Sequence, residues 1–75
     1  MKIINDPSII DYTPVIIRDG EHPNRVVLRK LEDGGYVVHH ENMRISGDNV
    51  EHMNFYWGHY FGDLDAATEE FNRRR

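Results

Sequence analysis

The chain has 75 residues, thirteen Asp and Glu against nine Lys and Arg, and a net charge of −4. It has no cysteine, which excludes disulfides and thiolate zinc sites and fits a reducing compartment. Three of the nine cations are Arg73, Arg74 and Arg75; without them the balance is six against thirteen, or −7, so the body is not built for long-range attraction to phosphate backbones.

Such a length makes one domain, near the lower limit for folding without staples. The expected organisation is an N-terminal arm over 1–11, a sheet over 12–61 and a helix over 63–74. Residues 1–7 lack the apolar run of a signal peptide, and no stretch approaches the roughly 20 apolar residues of a membrane span. The expectation is a cytoplasmic protein that makes no membrane contact.

In the arm, Ile3-Ile4 and Ile9-Ile10 flank Asn5, Asp6, Pro7 and Ser8, a turn-bearing pattern. Thr13-Pro14-Val15-Ile16-Ile17-Arg18 reads as a first strand, with proline near its start, where a missing N–H is tolerated. Asp19 to Asn24 is turn chemistry.

Arg25–Leu31 and Gly35–Glu41 flank Glu32-Asp33-Gly34, the pattern of a hairpin whose loop puts glycine in the left-handed region. The implied register pairs Leu28 with Val38, Val26 with His40 and Lys30 with Tyr36 on one face. The other face carries Arg29 beside Val37, Val27 beside His39, and Arg25 opposite Glu41. A slip of one residue would mix the apolar and charged sets.

Asn42 to His52 is polar, with Ser46-Gly47-Asp48-Asn49 at its centre, and reads as a long mobile loop. Met53 to Phe61 is a last strand holding five of the eight aromatic residues. Strict alternation puts Phe55, Trp57, His59 and Phe61 on the core face, and Tyr56 and Tyr60 together on the other. Gly62 turns the chain and Asp63 caps a helix. Leu64, Ala67 and Phe71 form its buried stripe, and Asp65, Glu69 and Glu70 precede the arginines in the order the helix dipole favours.

The expected fold is α+β: an antiparallel sheet of about four strands with one C-terminal helix packed on one face. Its core contains Val26, Leu28, Val38, Phe55, Trp57, Leu64 and Phe71.

Five histidines invite a metal site, but His39 and His40 are adjacent in a strand and point to opposite faces, and no HExxH or HxH spacing occurs. Ser8 and Ser46 lie in loops without a nucleophile context, so the reading is not an enzyme, with no catalytic residue, metal or cofactor. Tyrosine beside Arg25 and Arg29 on a sheet is the arrangement that stacks nucleic-acid bases, a partner disfavoured by the net charge. Apolar residues on both sheet faces with one helix to cover them point instead to another protein chain, a host protein or a second copy. The surfaces so assigned are Tyr56, Tyr60 and Arg29, or else the acidic helix face of Asp65, Glu69 and Glu70. Whether the N-terminal arm or a partner covers the face opposite the helix is left open, as is a structural or oligomerising domain without ligand.

Phe55-Tyr56-Trp57-Gly58-His59-Tyr60-Phe61-Gly62-Asp63-Leu64-Asp65-Ala66-Ala67, then Phe71-Asn72-Arg73, resembles a pattern in short uncharacterised proteins of phages and mobile elements. In those, a "GHYF" strand runs into a "DLxxAxxxF" helix ending in arginine, and the Asp33–His39 hairpin is similar to part of the same pattern. The resemblance implies a β-rich fold with a C-terminal helix. The function it implies is inhibition of a host protein by surface occlusion, in the manner of anti-CRISPR proteins.

Overall fold

A computed structural model describes residues 2–75. It contains five strands, β1 (Lys2–Ile3), β2 (Ile9–Tyr12), β3 (Asn24–Lys30), β4 (Tyr36–Ser46) and β5 (Asn49–Phe61), followed by helix α1 (Leu64–Arg74). The strands form one curled sheet in the order β1-β5-β4-β3-β2. The β1–β5 pair is parallel and the other pairs are antiparallel, so the sheet is mixed and five-stranded rather than four-stranded and antiparallel.

The β3–β4 hairpin has the predicted register throughout, from Arg25 opposite Glu41 to Lys30 opposite Tyr36. Gly34 sits at φ 89° in its loop, a conformation that a β-carbon penalises. The mobile loop expected over 42–52 is instead sheet: β4 runs to Ser46, and Gly47-Asp48 closes a two-residue turn with Gly47 at φ 60°. Polar side chains hid this strand, because its buried apolar residues, Met43 and Val50, stand singly among them.

The first strand also lies elsewhere than expected. Ile9–Tyr12 pairs with β3, whereas the 13–18 segment is no strand and meets β3 at Thr13, whose N–H donates to the Val26 carbonyl, and at the isolated Ile16–Asn24 bridge. The arm therefore supplies two strands at opposite edges of the sheet. Ile4 N–H donates to the Val50 carbonyl at one edge, and Lys30 N–H donates to the Ser8 carbonyl at the other. Between them the chain crosses the face opposite the helix, where Arg29 Nε donates to Ser8 Oγ at 2.8 Å. Asp6 accepts from the Ser8 hydroxyl and N–H, bonds that hold its carboxyl below the usual aspartate range and tie the crossing together.

The helix packs on the other face. Asp63 Oδ1 accepts from Ala66 N–H at 2.8 Å, the expected cap. Ala67 and Phe71 are buried against Val26, Leu28 and Val38, with Tyr36 and Phe61 at the margin. Three members of the predicted core fall outside it: Leu64 is 43 % exposed, Trp57 is 72 % exposed, and Phe55 is half-buried on the opposite face.

Candidate functional site, an aromatic groove beside the helix C-terminus

Register explains the aromatic residues. His40 opposes Tyr56 and Val38 opposes His59, so β4 supplies one residue between these pairs and β5 supplies two, Trp57 and Gly58. This is a β-bulge, and Trp57 occupies it at φ 53°, the one non-glycine residue with positive φ among those described. The extra residue inverts the alternation. Phe55 lies opposite Glu41 and stacks on His39, 4.5 Å between ring centroids, whereas Phe61 lies opposite Tyr36 on the helix side.

The bulge also separates Tyr56 from Tyr60. Tyr56 pairs with His40 on the helix side; Tyr60 pairs with Val37 and meets His39 on the other. Their expected common face is thus corrected. Arg29, opposite Val37, does share a face with Tyr60, but its guanidinium is engaged by Ser8, the Phe55 ring at 4.6 Å and His39 Nε2 at 3.3 Å. Arg25, expected at that surface, is buried at 1 % exposure and its Nε donates to Glu41 Oε1 at 2.6 Å. Glu41 Oε2 in turn lies 2.8 Å from His52 Nδ1. Arg25 Nη1 and Nη2 are buried without an acceptor, beside the Tyr12 ring 4.9 Å away. Breaking such a buried pair by removing one partner strands the other charge, so these residues hold the arm-side face in register.

On the helix side, the sheet outruns the helix. His40, Tyr56 and Trp57 form a three-ring cluster there, with centroids 4.9–5.4 Å apart. Desolvation, then the nearby Arg74 charge, lowers the His40 pKa and favours the neutral ring. The cluster forms one wall of a groove of about 750 Å³ whose other lining includes Arg18, Glu21, His22, Asn24 and Asn42. A second hollow of about 530 Å³ shares Asn24 and His40 with the first, and is lined by Tyr12, Pro14, Ile16, Val26, Arg25, Arg74 and Arg75.

The helix C-terminus fixes this arrangement. Arg74 Nη1 donates to the Trp57 carbonyl at 2.7 Å while its Nε donates to Glu70 Oε2 at 2.8 Å. The first of these bonds clamps the bulge to the helix. The second explains Glu70, whose carboxyl is held below its usual range by the Arg74 hydrogen bond. Glu70 also accepts from Arg73 Nη1. Asp65 and Glu69 are exposed on α1, Glu69 within 3.9 Å of Arg73. Of the residues assigned from sequence to a protein-binding surface, the groove contains Tyr56 alone. Trp57, His40, Arg18, Arg74 and Arg75 were not anticipated; the one signal available was Gly58, since an isolated glycine within a strand marks a bulge.

Among the described residues, no group of three or more His, Asp or Glu is close enough to hold a metal ion, and no helix is long and apolar enough to cross a membrane. No protein-family model matches the chain, and neither a curated protein nor a solved structure matches it.

Proposed function

We propose that this protein is a protein-binding module that works by laying the groove at Tyr56, Trp57 and His40 over a surface of another chain. One observation carries the reading: the sole tryptophan is 72 % exposed, in a strained backbone conformation, with its carbonyl held by Arg74. Strain of about 1–3 kcal/mol at a residue that buries little in its own fold is retained where the side chain serves something outside it. Tryptophan, tyrosine and arginine are also the residue types that dominate binding hot spots. Inhibition of a host protein by occlusion, as the phage-type resemblance implies, needs no more than such a surface. The arm across the opposite face leaves the groove side as the open one.

The test is a photo-crosslinking amino acid placed at position 57, 60 or 64 and irradiated in a bacterial lysate. A discrete adduct from 57 and none from 64 is the expected outcome. An adduct from 60 in place of 57 would move the contact surface to the arm side, and no adduct at any position would remove the reading.

A further inference from the structure

We infer that the groove takes an acidic stretch of another protein chain that also carries an apolar anchor residue; this rests on the groove being the protein-binding surface. Charge is the first argument. The two hollows are lined by Arg18, Arg74 and Arg75, of which Arg74 is paired with Glu70, against one acidic side chain, Glu21. Neither Arg18 nor Arg75 makes an ion pair among the described residues. Four acids lie at the other end: Asp63 and Asp65 start the helix whose last turn is arginine, and the Glu32-Asp33 loop adjoins them, since Gly35 approaches the Phe61 carbonyl. Two arginines free of ion pairs thus border one concavity of an acidic protein.

Shape and polarity are the second argument. Pro14, Ile16 and Val26 give the smaller hollow an apolar lining with Arg74 and Arg75 beside it. An apolar side chain flanked by carboxylates satisfies both features at once, and arginine pairs with carboxylates through its planar fork. A nucleic-acid strand is the other anionic polymer such a groove would attract. It is disfavoured because a long polyanion must also lie along a body that is −7 outside the last three arginines, whereas a short acidic segment meets only the groove.

Selection of short random peptides displayed against the full chain tests this. The enriched peptides are expected to combine several Asp or Glu with a Leu, Ile or Phe, and a synthetic copy should shift the emission of Trp57, the only tryptophan. Replacing the peptide's acids by Asn and Gln should weaken it about tenfold, as should raising salt from about 50 to about 500 mM. The Arg18→Ala, Arg75→Ala double variant, checked for folding by circular dichroism, should bind the acidic and amidated peptides alike. Enrichment without acidic bias, with emission still shifted, would overturn the charge assignment and leave the groove a protein-binding surface. Peptides that bind without perturbing Trp57 would overturn both. So would no enrichment together with an oligothymidylate that quenches Trp57, and that result would assign the groove to single-stranded nucleic acid.

Discussion

At φ 53° a non-glycine residue carries a cost of about 1–2 kcal/mol, and Trp57 carries it in the middle of a thirteen-residue strand. Its effect reaches every aromatic residue around it. Alternation read from sequence groups Phe55 with Phe61 and Tyr56 with Tyr60, and the single extra residue dissolves both groupings. Nothing in the residue types announces the bulge, because tryptophan favours extended backbone; only the adjacent Gly58 hints at it. A β-carbon at Gly58 would lie 2.8 Å from His39 Nδ1, and that ring is itself stacked on Phe55. Gly58→Ala is therefore expected to lower stability by about 1–3 kcal/mol in urea denaturation, through overpacking. A companion measurement isolates the strain. Trp57→Gly should be more stable than Trp57→Ala by about 1 kcal/mol, since both lose the ring contacts and only glycine adopts this φ freely. Equal stabilities would mean that position 57 relaxes out of the left-handed region once the ring is gone.

Elements with a buried face on which apolar and charged residues alternate were legible in the sequence. The β3–β4 register followed from alternation, with Val26, Leu28 and Val38 on one side and Arg25, Arg29 and Glu41 on the other. The helix followed from its stripe and cap. Phe71 is 1 % exposed at the centre of that contact, and Phe71→Ala should cost about 3–5 kcal/mol, read as a large fall in the urea midpoint. An unchanged midpoint would show that the helix contributes little to the fold. Elements with few buried apolar residues were not legible. In the distal half of β4 and the start of β5, Met43 and Val50 are buried on the arm side but stand singly in a polar run. Ile9–Tyr12 was masked by the neighbouring Val15-Ile16-Ile17 run, which has the composition of a strand but follows Pro14, with no N–H to donate, and meets β3 in the single Ile16–Asn24 bridge.

At the scale of the molecule, the arm decides what covers the second face, a matter that composition leaves open between arm and partner. Crossing from the β5 edge to the β3 edge, it lies over a face whose interior combines Val27, Val37, Met43 and Val50 with the Arg25–Glu41 pair and His39. His39 makes the stability of this assembly depend on pH. Burial, then the positive charges of Arg29 and Arg74, lowers its pKa from 6.5 to about 4, outweighing the opposite pull of Glu41; His52, also facing it, acts in the same direction as the arginines. The neutral ring accepts from Arg29 Nη1 through Nε2, a bond that protonation would replace with repulsion. Above pH 6.5 the ring is neutral whether the chain is folded or not, and it imposes no penalty. As pH falls from 6.5 towards 4, the unfolded chain takes up a proton that the folded one refuses. Folding stability therefore declines across that window, by about 3 kcal/mol from this residue. The lowered pKa of His40 adds to the decline with the same sign, whereas the carboxylates of Asp6 and Glu70, held below their usual ranges, withdraw their contribution only at lower pH. Urea denaturation at a series of pH values should show the decline beginning near neutrality, before the carboxylates titrate. His39→Gln should be less stable at pH 7, having lost the stacking on Phe55, yet lose much less between pH 6.5 and 4. A wild-type stability that stays level across that range would mean His39 is protonated in place, and that the face beneath the arm is wetter than its packing indicates.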